Sequence, residues 1–294
     1  MAKLEHFGVR GKLLDLIKAL RNERFYQVIV NGELSSPHRV SSGVIQGSVV
    51  GPVLFTSYLF DLVGFIKMDT SLFADDCKIY ANSLTSAALL QADLQNVEMW
   101  SRQWGMKLNT SKCTVLRIGP DNPDNEYFLD GCALKSVNEQ NDLGVLITSD
   151  LKWERHITRI CKKANSLVYL IKQAFRDHSI EMISTLYKSY IRPKIQYAFV
   201  VWNPKEDIDQ LEKLQRKVTK IPYELSEMPY PEKLIRFGLT TLRERRHRGD
   251  LIETYKITSA IWRTFSTIVK TIISEDIQGS LKKKERQNFP EKTL

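Results

Sequence analysis

Residues 71–80 read SLFADDCKIY. Two adjacent carboxylates, Asp75 and Asp76, stand between the short apolar runs 71–74 and 77–80, a pattern that predicts a hairpin with the acidic pair at its turn. On a flat strand neighbouring side chains point to opposite faces; at a tight turn both can approach one point. Two carboxylates about 4 Å apart repel by roughly 1–4 kcal/mol, depending on the local dielectric, so a buried pair is costly until a cation offsets the repulsion. Mg²⁺ takes one or two carboxylates and leaves its other positions to water and substrate phosphates, which suits phosphoryl transfer assisted by two metal ions. A lone Asp-Asp is more often a solvated turn, because Asp favours turns. Here the flanking Leu72, Phe73, Ile79 and Tyr80 argue for a pair anchored on a buried hairpin, as a precise site requires.

Short strands and helices surround this stretch. Residues 11–22 carry Leu13, Leu16, Ile17 and Leu20 at helical spacing. Residues 25–31 read as a strand, Asn31-Gly32 as a hairpin turn, and Arg39–Ile45 as the returning strand. Residues 52–66 read as a mostly buried helix opened by Pro52. Residues 85–104 form the clearest helix: Thr85 or Ser86 could cap it, and Leu90, Leu94, Val97 and Trp104 share a face. Trp104 is thus a core residue rather than a base-stacking one. Strands follow near Thr114–Ile118 and Leu143–Ile147. Beyond residue 150 the period turns helical. Residues 154–176, 179–192 and 206–220 read as three basic helices punctuated by Pro193 and Pro204, with Trp202 packing a helix junction. Arg243–Arg248 leads into a helix reaching about residue 270, ahead of a polar tail. The fold class is α+β: a mixed piece followed by an all-α basic piece.

The chain has 294 residues, 43% hydrophobic and 26% charged, which excludes a disordered or fibrous protein and allows one large or two modest domains. The net charge of +9 is unevenly spread: residues 1–150 sum to −3, 151–220 to +8 and 221–294 to +4. The acidic piece suits cations and the basic piece a polyanion, although basic runs are as often plain solvated faces. Cys77, Cys113, Cys132 and Cys161 form no CxxC pair and read as free, mostly buried thiols in a reducing compartment. The start, MAKLEHFGVRGK, has no apolar core of a secretory signal, so an intracellular location, nucleus or cytoplasm, is expected. Residues 40–60 carry no charge and could span a bilayer by length. Gly43, Gly47, Gly51, Pro52 and several polar residues break the run into strand, turn and helix, so no membrane span is expected.

The motif order carries a resemblance. SSGVIQGSVVGPVLFTSYLFDL, then SLFADDCKIY, LQADLQNVEMWSRQWGMKLNTSKCTVLRIG, NDLGVLITSDLKWERHI, YKSYIRPKIQYAFVVWNP and YPEKLIRFGLTTLRERRHRGDLIETYKI resemble reverse transcriptases, in particular those of non-LTR (LINE-type) retrotransposons of the jockey and chicken-repeat kind. The likeness covers about residues 3–257. It implies that Asp75 and Asp76 are the catalytic, metal-holding pair of the palm, with Mg²⁺ or Mn²⁺ as cofactor. Gln46 and Gly47 would lie against template and incoming nucleotide, with Phe73 also on the substrate side. Lys112 would stand near the leaving pyrophosphate, and Leu143 and Gly144 would belong to the primer grip. The partners implied are an RNA template, a DNA primer, the RNA–DNA hybrid and deoxynucleoside triphosphates. Taken singly, Gln46 also reads as a hairpin polar residue, Lys112 as a solvated lysine and Leu143-Gly144 as a strand bend.

The resemblance divides the chain into a partial palm at 1–148, an antiparallel sheet with packed helices; a helical thumb and connector at 149–258; and an unassigned helix and polar tail at 259–294. Two departures stand out. Family members carry a first catalytic aspartate and the fingers upstream of the segment that here begins at Lys3, so an N-terminally truncated element is expected, its palm sheet short of a central strand and its apolar neighbours exposed. Ile45 stands where the family usually has proline. The expectation is a nucleotidyltransferase fragment that is a poor polymerase alone. The alternatives are a non-catalytic nucleic-acid-binding remnant and an unrelated α+β protein with a basic helical end.

Overall fold

The computed structural model of the protein describes residues 1–81, 86–120, 122–202 and 208–259. The described residues fall into two compact units, one up to Asn138 and one from Glu139. The first opens with helices α1 (Ala2–His6) and α2 (Gly11–Arg21) and four two-residue strands, β1 (Phe25–Tyr26), β2 (Ile29–Val30), β3 (Glu33–Leu34) and β4 (His38–Arg39). Helix α3 (Val50–Leu59) runs on as a 3₁₀ turn to Phe65. The hairpin strands β5 (Asp69–Phe73) and β6 (Asp76–Tyr80) follow, then the long helix α4 (Ala87–Trp104). Strands β7 (Thr114–Leu116), β8 (Phe128–Leu129), β9 (Cys132–Ala133) and β10 (Lys135–Val137) complete the unit.

Among the described residues the strands pair only two at a time, and β7 with β10 is parallel. The antiparallel sheet with packed helices that the resemblance implies stands here, among the described residues, as separate two-stranded ladders. The Asn31-Gly32 turn forms as expected, with both residues at positive φ (52° and 88°), as a two-residue hairpin loop requires. Its returning strand is β3, and Arg39 instead ends β4, paired to β1, so no strand spans Arg39–Ile45. Helix α3 begins two residues before Pro52. Helix α2 buries Leu14 and Ile17 and leaves Leu13, Leu16 and Leu20 exposed. Helix α4 buries Leu94, Val97 and Trp100, partly buries Trp104, and stops at Gly105 in the left-handed conformation (φ 66°), the residue type that ends helices at least cost. Ser86 stands at its N-cap without a side-chain cap bond; Thr85 lies outside the described residues.

In the second unit a hairpin, β11 (Glu139–Asp142) and β12 (Val145–Thr148), leads into helix α5 (Glu154–Ala174). Helix α6 (Ile180–Leu186) passes through a π-helical turn (Tyr187–Ile191) into α7 (Arg192–Gln196). Helices α8 (Ile208–Thr219), α9 (Tyr230–Phe237) and α10 (Leu242–Thr258) follow. Pro193 does not break the helix as expected. It enters at the first turn of α7, where its missing N–H costs least, directly after the wider π turn. Pro204 and the helix expected beyond residue 260 lie outside the described residues. Ile157, Ala164, Val168, Ile183, Ile191, Ile195, Leu211 and Phe237 are among the residues of one apolar core. Inside it a polar network is fully paired: the Tyr187 hydroxyl donates to Gln215 Oε1, and Gln215 Nε2 donates to the Thr240 carbonyl (3.1 Å) and the Tyr230 hydroxyl (2.9 Å). The Glu212 carboxylate accepts from the Tyr230 hydroxyl and from Leu242 N (2.8 Å), beside the Thr241–Glu244 capping box that starts α10.

All four cysteines are free, but Cys77 and Cys132 are exposed and the other two half-buried, against the expectation of mostly buried thiols. Among the described residues no helix is long and apolar enough to cross a membrane.

His156 on α5 is buried, stacks edge-on against the buried Trp202 (4.8 Å between ring centres), and accepts the Leu146 N–H at Nδ1 (3.1 Å). Burial, helped by the Arg159 charge, pushes its pKa from 6.5 down to about 4. The unfolded chain therefore takes up this proton first as the pH falls. The stabilisation is complete above about pH 6.5 and is lost towards pH 4. Thermal unfolding should show Tm falling by several degrees between pH 7 and pH 5, and His156→Asn, which keeps an acceptor, should flatten that slope.

Candidate active site

The acidic pair sits where its own hairpin places it. Phe73 pairs with Asp76 across the ladder, leaving Ala74 and Asp75 as the two-residue turn. Ala74 takes a positive φ of 51°, a conformation that an L-residue with a Cβ adopts at some cost, so the turn is sharp. Asp75 and Asp76 are both exposed, and among the described residues no side-chain hydrogen bond or ion pair engages either carboxylate. Phe73 and Tyr80 are exposed too (61% and 51%), while Leu72 and Ile79 are half-buried. The hairpin is therefore anchored on one face only and is not the enclosed one expected. The reason is that β5 and β6 pair with no third strand among the described residues. Cys77, next to Asp76, is an exposed residue, but its sulfur faces the hairpin's packed side, and desolvation there together with the nearby Cys113 pushes the thiol up to about 11.

What aims the hairpin is a residue the sequence pattern does not mark. The buried Asp93 carboxylate on α4 accepts from Lys67 N (3.1 Å) and Met68 N (2.9 Å), the two residues ahead of β5. Below it Leu72 and Ile79 pack on the cluster of Leu59, Leu62, Ile66, Val97 and Trp100. Asp61 adds a second anchor, accepting from Lys3 Nζ (2.6 Å) and Trp100 Nε1 (2.9 Å), with the ammonium over the Tyr58, Trp100 and Trp104 rings.

Gln46 and Gly47 form a separate exposed turn. Ser48 N donates to the Ile45 carbonyl (3.2 Å), and Gly47 takes φ 82°. The turn is locked to α3: Ser48 Oγ donates to the Ile45 carbonyl (2.7 Å) and accepts from Gly51 N (3.0 Å). A Cβ at Gly51 would meet that same carbonyl at 2.9 Å. Arg24 holds the loop before it through the Gly43 carbonyl (2.8 Å). Beneath lies a mostly apolar cleft of about 680 Å³ whose lining includes Lys3, Arg21, Arg24, Ile45 and Ser48; its charged groups are all cationic. Lys112 is exposed on a 3₁₀ turn (Thr110–Lys112). Its neighbour Cys113 packs in the same cluster as Ile79 of β6, but among the described residues Lys112 makes no ion pair with either carboxylate.

In the second unit Leu143 and Gly144 form the β11–β12 turn, both at positive φ (45° and 87°). Tyr197 and Arg159, which sequence reasoning did not single out, hold this tip. The Tyr197 hydroxyl donates to the Leu143 carbonyl (2.9 Å), and Arg159 Nη2 donates to the Gly144 carbonyl (3.1 Å). A Cβ at Gly144 would stand 3.2 Å from Tyr197 Cε1.

Among the described residues no three His, Cys, Asp or Glu side chains converge on a point that could hold a metal ion. The Asp75–Asp76 pair alone matches the one or two carboxylates that Mg²⁺ typically takes. The family model described as "Reverse transcriptase (RNA-dependent DNA polymerase)" matches residues 1–177. The chain belongs to the reverse transcriptase family. The match takes in the acidic hairpin, the Gln46-Gly47 turn, Lys112 and the Leu143-Gly144 turn. Among curated relatives, a probable RNA-directed DNA polymerase from transposon X-element of Drosophila melanogaster is 26% identical over 241 residues, 74% of this chain and 26% of that protein. The RNA-directed DNA polymerase from mobile element jockey of Drosophila funebris is 25% identical over 232 residues, 71% of this chain and 25% of its own length. A retrovirus-related Pol polyprotein from the R2 element of Popillia japonica is 24% identical over 195 residues, 56% and 32% of the two chains. This reverse-transcriptase chain thus spans about a quarter of the length of the first two relatives.

Asp93→Ala leaves two backbone N–H groups unpaired and should cost about 1–3 kcal/mol, read by urea denaturation, with faster amide exchange across residues 67–80. Gly144→Ala must displace the Tyr197 ring and strain a positive φ. A loss of about 1–3 kcal/mol is expected, with slowed exchange at the β11–β12 amides counting against the assignment.

Proposed function

We propose that the chain is part of an RNA-directed DNA polymerase of a jockey-like non-LTR retrotransposon, with residues 1–148 as a partial palm and 149–258 as thumb and connector. The reaction is nucleotidyl transfer from a deoxynucleoside triphosphate to a primer 3′-hydroxyl on an RNA template. Asp75 and Asp76 would hold Mg²⁺ or Mn²⁺, which when bound supplies charge stabilisation at the transferring phosphoryl group. The Gln46-Gly47 turn lies against template and incoming nucleotide, with Phe73 beside them. Lys112 offers a cation to the departing pyrophosphate, and the Leu143-Gly144 tip meets the primer. The observation that carries this reading is the Asp75–Asp76 pair, displayed free of protein partners among the described residues at a sharp turn that α4 anchors, inside the segment matched to the family. The match to relatives named as RNA-directed DNA polymerases supports it.

A second reading, a non-catalytic nucleic-acid-binding protein, is favoured by the +8 charge of residues 151–220 and the exposed Lys162 and Lys163 on α5. Basic side chains there would neutralise phosphates without reading sequence.

Residues 1–294 contribute two carboxylates at the turn, and weak or no extension is expected from them in isolation. Primer extension on an RNA template with Mg²⁺ or Mn²⁺, beside an Asp75→Ala/Asp76→Ala double variant, separates the readings. Extension lost in the variant supports the polymerase and overturns the expected weakness. No extension, with salt-sensitive hybrid binding equal in both proteins, favours the second reading, and absence of both activities sinks the two together.

A further inference from the structure

One corner of the helical unit collects more hydrogen-bond donors than the described residues supply acceptors for. Arg192 and Gln196 lie one turn apart on α7, the spacing that puts side chains on one face. Gln196 Oε1 accepts from Arg245 Nε of α10 (3.4 Å). This bond fixes the amide's orientation, since a guanidinium only donates. The Gln196 Nε2 group is then left buried with no partner among the described residues. Arg192 is half-buried. Among the described residues its guanidinium meets no acceptor, and that of Arg245 meets only Gln196 Oε1. Burial and the neighbouring Arg245 charge hold Arg192 below the ordinary arginine range. Two like charges therefore act on each other, with no counter-charge between them among the described residues. Glu212, the carboxylate whose field reaches the same Tyr187 as both arginines, is already committed to the Tyr230 hydroxyl, Gln215 Nε2 and Leu242 N.

We propose that Arg192, Gln196 and Arg245 form a seat for a phosphoryl group. A tetrahedral oxyanion presents several acceptors, and guanidinium groups match phosphate oxygens in paired bonds. Gln196 Nε2 supplies the neutral donor, and Arg245 is the exposed member of the set. The phosphoryl group comes from a nucleic-acid backbone or from free phosphate. The seat lies on α7 and α10, and it stands whether or not the Asp75–Asp76 pair is catalytic.

Two probes test it on the full chain. Inorganic pyrophosphate binding is measured by titration calorimetry, and binding of a short RNA–DNA hybrid by fluorescence anisotropy over a salt series. Arg192→Gln and Arg245→Gln are compared with Lys256→Gln, which removes a surface charge elsewhere on α10. The expected result is a tenfold or greater loss of pyrophosphate affinity in both arginine variants, or a fall of about one in the hybrid's logarithmic salt slope, with the control unchanged. Loss with pyrophosphate alone identifies free phosphate as the ligand; a change in the hybrid slope identifies the backbone. Arginine variants that behave as wild type or as the control with both probes overturn the proposal. So does wild-type protein that binds neither. Thermal unfolding checks each variant, and Arg245→Gln, at an exposed position, carries the test if Arg192→Gln fails to fold.

Discussion

The buried Asp93 carboxylate ties helix α4 to the start of β5, and the position of the acidic turn follows from that tie. Two backbone N–H groups that would otherwise be unpaired at the entry to the hairpin find both oxygens of one side chain. A buried carboxylate is tolerable only where its lone pairs are engaged, so helix and strand entry stabilise each other. The hairpin then needs little packing of its own. Leu72 and Ile79 rest on the α3–α4 cluster, and the opposite face, with Phe73, stays open. A turn aimed from below and open above can present two like charges to solvent, where their mutual repulsion is small.

The second unit is held by a different device. Its apolar core encloses a chain of polar groups, from Tyr187 through Gln215 and Tyr230 to Glu212 and the first turn of α10. Every link is local in space and distant in sequence. Paired polar groups in a core fix one arrangement of helices, because any slip leaves a donor or acceptor unmatched. The Leu143-Gly144 tip is held in the same manner, its two carbonyls taken by Tyr197 and Arg159.

Sequence pattern revealed what depends on neighbours along the chain. Strand alternation around Asp75-Asp76 and the Asn-Gly turn at 31–32 are local features, and both formed. The periodicity of α4 correctly placed Leu94 and Val97 in the core, but in α2 apolar residues occur on two sides of the helix. Periodicity chose Leu13, Leu16, Ile17 and Leu20; of these the packing buries Ile17, and it adds Leu14, which the pattern did not mark. The residues that position the site were not legible: Asp93 meets Lys67 across 26 residues, and Tyr197 meets Leu143 across 54. A carboxylate inside an amphipathic helix or a tyrosine after a helix carries no mark of such a partner. The motif order, by contrast, was legible as family membership without any of these contacts.

The π-helical turn before Pro193 sets the phase of helix α7. An α-helix advances about 100° per residue, and a π turn accommodates one residue more than the α-helical ladder would. Residues 192–196 therefore face a direction rotated by roughly a quarter of a circle from where an unbroken continuation of α6 would point them. Losing a single residue from Tyr187–Ile191 would leave a regular helix of sound composition. It would also swing Ile195 out of the core and carry Arg192 and Gln196 away from α10. In this chain a deletion of one residue is thus a rotation, and its effect would be felt a full turn downstream of the change.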